Sequence, residues 1–159
     1  MRTEVSSEAT ILIIDDQKLH HKFLQKVLGK GGFSNVVCLG DPLLALHEVQ
    51  RLSPDLIILD ILLDGANGLD VLQDIRNTYY DMPVILCTGY PDFRYDIKSL
   101  AADYFVDKNS DLSELKNKIE MALESKIAFM IIPEVEDNIQ IMLPVIRKRM
   151  ELEVRKSAG

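Results

Sequence analysis

Residues 11–16 read Ile-Leu-Ile-Ile-Asp-Asp, a run of four branched apolar side chains that ends abruptly in two acids. Continuous apolar character, without the alternation of a half-exposed strand, is typical of a strand buried on both faces of a parallel sheet. Similar short runs follow at residues 36–39, 56–59, 84–87 and 104–106. The sequence therefore predicts five strands of a parallel sheet.

The segments between these runs show helical periodicity. The first helix is predicted to bury a stripe made of Leu19, Phe23, Leu24, Val27 and Leu28. Further helices are predicted after the N-cap residue Asp41, from about Leu69 to Asn77, near Phe93 to Leu100, and from Asp111 or Ser113 onward. This alternation predicts an α/β fold, a doubly wound five-stranded parallel sheet with right-handed crossovers and helices on both faces.

Length and composition limit the classes of protein to consider. A chain of 159 residues, 47% hydrophobic and 27% charged, fits one globular domain with a modest extension. Its net charge of −7 disfavours nucleic acid as a partner, so we expect no direct DNA binding. The apolar runs are far shorter than the roughly 18 residues of a membrane span, and residues 1–10 lack the apolar core of a signal peptide. We expect a cytoplasmic chain that binds no membrane, with Cys38 and Cys87 as free buried thiols.

Polar side chains follow the predicted strands where the strands end. Asp15 and Asp16 follow the first strand, Asp60 follows the third, Thr88 ends the fourth, and Lys108 follows the fifth. Functional residues of open α/β sheets collect at the carboxyl ends of the strands, so we expect these five side chains to meet. Two carboxylates 4 Å apart repel by roughly 4 kcal/mol at an effective dielectric of about 20. The cluster therefore needs either proton uptake or a bound cation, and for a cation the oxygen ligands favour Mg²⁺.

These residue types suit a phosphoryl group. A partly hydrated Mg²⁺ can accept phosphate oxygens, Lys108 supplies a point charge, and the Thr88 hydroxyl can donate a hydrogen bond. A carboxylate can then act as the nucleophile, as in other aspartyl-phosphate chemistry. The sequence predicts a site that accepts a phosphoryl group.

The same residues carry a resemblance to a known family. Asp15-Asp16, Asp60, Asn67-Gly68, Thr88 and Lys108 occur in an order that resembles the receiver domain of two-component response regulators, over residues 10–125. The resemblance implies the flavodoxin-like strand order 2-1-3-4-5. It also implies Mg²⁺-dependent phosphorylation by a histidine kinase or a phosphotransfer protein. Beyond its own aspartyl phosphorylation and dephosphorylation, such a domain is not an enzyme.

The resemblance also implies roles for individual residues. Asp60 would be the phosphoacceptor, and Asp16 and Asp60 would ligate Mg²⁺ directly, together with the backbone carbonyl of Leu62. Asp15 would act on the metal mainly through water.

Two switch residues and a cation complete the implied site. Thr88 would follow the phosphoryl group, Lys108 would pair with it, and Phe105 would be the switch aromatic. The change would be detected by a downstream protein at the surface formed by the last strand and its flanking helices. Asn109 stands where the family usually has proline, which leaves the form of that surface open.

Two alternative functions are considered. A receiver-like scaffold would bind its partner without phosphorylation. A small-molecule phosphatase that uses an aspartyl phosphate would need a second aspartate two residues after Asp60, where this sequence has Leu62. The first alternative stays open, and the second is disfavoured.

Two further segments receive interpretations. His20 and His21 are interpreted as part of a solvated helix face, with no role in phosphotransfer. Residues 126–159 are predicted to be a C-terminal helical extension, with a helix beginning near Pro144. The extension could dock on its own domain, form a homodimer, or link to an output domain.

Overall fold

A computed structural model of the chain describes residues 5–131 together with residues 151 and 154. The chain divides into two compact units, Met1–Lys126 and Ile127–Gly159. The predicted helix near Pro144 lies outside the described residues.

The first unit contains a five-stranded parallel sheet. Its strands are β1 (Thr10–Ile14), β2 (Asn35–Leu39), β3 (Leu56–Leu59), β4 (Val84–Thr88) and β5 (Tyr104–Asp107). They lie side by side in the order β2-β1-β3-β4-β5, and every neighbouring pair is parallel. The predicted flavodoxin-like order is confirmed, and the carboxyl ends of all five strands lie at one edge of the sheet.

Helices cover both faces of this sheet. They are α1 (Lys18–Lys30), α2 (Ala45–Leu52), α3 (Gly68–Thr78) and α4 (Leu112–Ile131). A helical turn at Val5–Glu8 precedes β1, and a 3₁₀ turn at Pro42–Leu44 precedes α2. In the part of the chain that the structure describes, no helix combines the length and the apolar character that a bilayer crossing needs.

The continuous apolar runs reflect burial on both faces. Ile11 and Ile13 of β1 pack with the apolar residues of α1 and α4, whereas Leu12 and Ile14 pack with those of α2 and α3. All four side chains are at most 1% exposed. Each such burial contributes about 1.5–3 kcal/mol to folding, so neither sheet face tolerates polar residues in the central strands.

The helix predicted near Phe93 to Leu100 is wrong. Two 3₁₀ segments, Pro91–Tyr95 and Ile97–Ala101, occupy this region, and Asp96 between them has an extended backbone. The Asp96 carboxylate accepts a hydrogen bond of 2.8 Å from the amide of Lys98. Aspartate favours such capping over the interior of a helix, so it ends one segment and starts the next. The surface beside β5 is therefore formed by 3₁₀ turns.

Arg76 of α3 connects the C-terminal end of this irregular region to the start of β4. Its guanidinium donates to the carbonyls of Ala101 (2.6 Å) and Met82, and to the carboxylate of Asp103 (2.8 Å). Asp103 also accepts from the amide of Val84 at the start of β4. One side chain thus holds three chain segments together.

We expect Arg76→Ala to lower the free energy of unfolding by about 3 kcal/mol, because it leaves several partly buried acceptors without their donor. Urea denaturation measures this loss. Arg51→Ala is the matched control, because among the described residues the side chain of Arg51 pairs with Glu48 on an exposed helix face, and a much smaller loss is expected there. Equal losses in the two variants would contradict this account of Arg76.

Candidate functional site

Three carboxylates meet at the carboxyl edge of the sheet. Oxygens of Asp15, Asp16 and Asp60 lie within 4.8 Å of one another. Asp15 and Asp60 are buried, and Asp16 is partly exposed. Backbone bonds from the amide of Asp60 to Ile14 (2.9 Å) and from that of Asp15 to Leu39 (3.1 Å) extend the strand ladders into the site. The sheet itself therefore fixes where these acids lie.

Lys108 joins two of the acids. Its Nζ lies 2.6 Å from Asp15 Oδ2 and 2.6 Å from Asp60 Oδ2, and its amide donates to the carbonyl of Thr88 at 2.8 Å. Burial by itself would lower the pKa of Lys108, but the hydrogen bonds that Lys108 donates to Asp15 and Asp60 outweigh burial and raise that pKa. The lysine is a cation that partly neutralises the cluster.

The carboxyl group of Asp15 is held in its ionised form. Burial alone would raise its pKa, but hydrogen bonds from His20, Lys108 and the amide of Gln17 together hold the pKa of Asp15 well below its usual range. Asp15 therefore keeps its negative charge at neutral pH, beside Lys108.

A small hairpin supports the exposed side of the site. Residues Leu62–Leu63 pair with Ala66–Asn67 in antiparallel fashion, and the turn between them is Asp64-Gly65, with a positive φ of 79° at Gly65. The amide of Asp64 donates to Asp16 Oδ2 at 2.7 Å. Asp-Gly between apolar residues is a strong hairpin signal that the sequence interpretation missed. The hairpin holds Asp16 in place and contains Leu62, the predicted carbonyl ligand.

Gly68 at the start of α3 lies against the backbone of the phosphoacceptor candidate. Its amide donates to the carbonyl of Ile61 at 2.7 Å, and the Asn67 side chain caps the helix by accepting from the amide of Leu69. A Cβ atom at position 68 would overlap the carbonyl oxygen of Asp60 and lie 2.7 Å from the Cα of Ile61. Only glycine allows α3 to begin this close to the end of β3.

The predicted switch residues lie on β4 and β5. Thr88 is buried, and its hydroxyl accepts a hydrogen bond of 3.4 Å from the amide of Tyr90. Phe105 is partly buried, and the guanidinium of Arg94 lies 5.1 Å from the centre of its ring. Phe105 therefore faces a cation from the 3₁₀ region.

The described residues contain no cis peptide, so the bond between Lys108 and Asn109 is trans.

The prediction that the histidine pair lies on a solvated helix face is wrong. His20 Nδ1 lies 2.5 Å from Asp15 Oδ2, and His21 Nε2 contacts the backbone carbonyl of Asp15. Leu19 and Phe23, which were expected on the buried stripe, are 84% and 48% exposed. The two imidazoles hydrogen-bond to the end of β1, and this orientation of the first turn leaves the apolar residues outside.

Further along α1, away from the acidic cluster, the predicted stripe is confirmed for Leu24 and Leu28, which are buried.

Both cysteines are free, Cys87 buried and Cys38 partly buried. Burial raises the pKa of the Cys87 thiol to about 12, so it is not ionised at neutral pH.

The donor set of the site fits a hard divalent cation. Asp15, Asp16 and Asp60 offer only carboxylate oxygens, and Asp16 is partly open to solvent, which leaves room for water ligands. Such oxygen ligands with several waters retained suit Mg²⁺. The site therefore has ligands for a divalent cation next to the Lys108 ammonium and the buried Asp60 carboxylate.

Comparison with protein families agrees with this fold. The model of the response regulator receiver domain matches residues 11–120, well over half of the chain. The chain belongs to the receiver domain family of two-component signalling. The resemblance found in the sequence is confirmed.

Similar sequences occur in longer regulators. CusR of Escherichia coli, a transcriptional regulatory protein, is 33% identical over 124 residues, which cover 76% of this chain and 54% of CusR. TcrX of Mycobacterium tuberculosis, a probable transcriptional regulatory protein, is 29% identical over 125 residues, covering 77% of this chain and 53% of TcrX. The chain spans about half the length of these relatives.

A solved structure of similar sequence is the response regulator TrrA of Thermotoga maritima in complex with Mg²⁺-BeF. It has a TM-score of 0.69 and 34% identity, covering 72% of this chain and 99% of TrrA. Another structure holds TrrA in complex with the histidine kinase ThkA, with a TM-score of 0.68 and 34% identity, covering 72% of this chain and 98% of that one.

Proposed function

We propose that this chain is a phosphoacceptor response regulator, phosphorylated on Asp60 by a histidine kinase or a phosphotransfer protein in the presence of Mg²⁺. The observation that carries the proposal is the position of Lys108, whose Nζ bonds both Asp15 and Asp60 at 2.6 Å. A lysine held at a buried carboxylate is placed to pair with the charge of an incoming phosphoryl group. The TrrA structures with Mg²⁺-BeF and with a histidine kinase support the same assignment.

Each residue of the site has its own role in the proposed phosphoryl transfer. An Asp60 carboxylate oxygen attacks phosphorus and forms an O–P bond, while the bond from phosphorus to the donor nitrogen or oxygen breaks and its electron pair leaves with the donor. Asp16, Asp60 and the Leu62 carbonyl would hold Mg²⁺, with Asp15 acting through water, and the bound ion would neutralise charge on the phosphoryl oxygens. Lys108 neutralises further charge, and Thr88 supplies a hydroxyl donor.

The negative charge of the phosphoryl group on Asp60 favours the proposed conformational change. A phosphoryl group places roughly 1.5 to 2 negative charges on Asp60 in place of one. Thr88 and Lys108 turn toward the new oxygens, and Phe105 follows. The change is transmitted to a downstream protein that binds beside β5, with a coupling of about 1–3 kcal/mol. In this chain, two 3₁₀ segments next to β5 contribute to this surface in place of the helix that the sequence predicted.

The domain limits and the output are part of the proposal. Residues 10–125 form the receiver domain, and residues 126–159 form an extension that docks, links or dimerises. CusR and TcrX are transcriptional regulators by name, and this chain matches about half of each. That the described chain makes no direct DNA contact therefore stays a prediction, as does a cytoplasmic location.

Removal of the metal tests the proposal. The full chain incubated with acetyl phosphate and Mg²⁺ is expected to gain the mass of one phosphoryl group. With EDTA in place of Mg²⁺, the rate is expected to fall by at least about 100-fold, because the carboxylates then repel the phosphate. Intact-mass spectrometry follows both reactions. A folded chain that stays unmodified with Mg²⁺ present would rule out the proposal and favour a phosphorylation-independent scaffold.

A further inference from the structure

His20 is a second nitrogen donor at the acidic cluster. Its Nδ1 lies 2.5 Å from Asp15 Oδ2, and its side chain is only 18% exposed. The neighbouring contact from His21 to the Asp15 carbonyl fixes the same turn of α1. An ionised carboxylate only accepts hydrogen bonds, so Nδ1 of His20 carries the hydrogen and donates it.

Asp15 Oδ2 therefore has two donors. Lys108 Nζ lies 2.6 Å from it, and the same ammonium also bonds Asp60. Asp15 Oδ1 accepts from the amide of Gln17 at 2.8 Å. Of the donors on Asp15, Lys108 is the one shared with the phosphoacceptor, whereas His20 and Gln17 belong to the start of α1.

We propose that His20 is a positioning residue that keeps Asp15 hydrogen-bonded while Lys108 moves from Asp15 to the phosphoryl group on Asp60. This inference rests on the proposed function. If His20 were absent, the departure of Lys108 would leave the buried Oδ2 atom without a protein donor among the described residues, which is costly for a charged group. His20 lowers that cost and so favours the phosphorylated arrangement.

The positioning role proposed for His20 differs from a contribution to the stability of the fold. In the unmodified protein, Lys108 alone would satisfy Oδ2, so loss of His20 affects the resting site little. The loss appears when Lys108 is drawn toward phosphate. Phosphorylation and Mg²⁺ binding should therefore respond differently to the same substitution.

The test uses the full chain with His20→Leu, which removes the donor, and His20→Asn, whose amide can donate from nearly the position of Nδ1. His47→Leu is the matched control, because His47 lies on α2 with a side chain 69% exposed and, in the part of the chain that the structure describes, pairs with Glu48, away from the acidic cluster. Two quantities are measured: the initial rate of phosphorylation by acetyl phosphate at saturating Mg²⁺, and the dissociation constant of Mg²⁺ alone by calorimetry. Thermal unfolding checks each fold.

We expect His20→Leu to slow phosphorylation about tenfold, the scale of one hydrogen bond to a charged group. The Mg²⁺ dissociation constant should change by less than about threefold, and His20→Asn should recover most of the rate. His47→Leu should match the native chain. The inference is overturned if His20→Leu keeps the native rate, if rate and Mg²⁺ affinity fall together, or if His20→Asn is as slow as His20→Leu. A native chain that is not phosphorylated at all would overturn the proposed function, and this inference with it.

Discussion

Asp60→Asn is expected to abolish the mass increase that the native chain shows with acetyl phosphate and Mg²⁺. The substitution replaces a charged nucleophile by a neutral amide of almost the same shape, which cannot form the acyl phosphate. It also removes one Mg²⁺ ligand and one partner of Lys108. Intact-mass spectrometry under identical conditions measures the loss, and no residual modification is expected at Asp15 or Asp16.

Asp64→Asn is the matched control for this experiment. Asp64 lies four residues after Asp60, its side chain is exposed, and its contribution to the site is a backbone amide that the substitution keeps. We expect Asp64→Asn to be phosphorylated at close to the native rate. Modification of Asp60→Asn at the native rate would show that another residue accepts the phosphoryl group.

The second large effect is expected from Gly68→Ala. The added methyl group would overlap the Asp60 carbonyl oxygen, so α3 must move away from β3 and the bond from Gly68 to the Ile61 carbonyl is strained or lost. Overpacking of this kind costs roughly 2–3 kcal/mol of the free energy of unfolding. A shift of the Asp60 backbone by about 1 Å can also cost about 100-fold in rate. Urea denaturation and the phosphorylation rate measure the two effects.

Gly29→Ala is the control for the glycine substitution. Gly29 lies near the end of α1, and beyond its own turn of helix a Cβ atom there would have no neighbour within 4 Å among the described residues. Alanine is favoured over glycine inside a helix by about 1 kcal/mol, so this variant should be as stable as the native chain or more so. Its phosphorylation rate should be unchanged. If both alanine variants behaved alike, the close approach at Gly68 would not matter for the site.

The sheet and the acidic cluster could be predicted because they follow from strong, local signals. Strands such as Leu56–Leu59 are buried on both faces, so their sequence is continuously apolar. Residues that follow parallel strands share one edge by geometry. Asp15 and Asp60, which are far apart in the chain, therefore meet without any further specification. The placement of Lys108 follows in the same way from β5.

Features that depend on side-chain competition were not predictable from periodicity. Asp96 stands where the pattern favours a helix, yet its carboxylate caps the Lys98 amide and breaks the segment in two. His20 lies on a helix whose phase is set by Leu24 and Leu28. Its direction follows from a hydrogen bond to Asp15, which becomes visible only when the end of β1 is in place. Periodicity describes burial and contains no information on such contacts.

The most direct test of the site is a crystal structure of the full chain with Mg²⁺ and beryllium fluoride, which mimics a phosphoryl group. The account predicts that the beryllium atom is bonded to an Asp60 carboxylate oxygen, with Mg²⁺ bound by Asp16 and Asp60 and with Lys108 Nζ paired to a fluorine. Beryllium fluoride bonded to another residue, or Mg²⁺ bound away from these acids, would contradict the account.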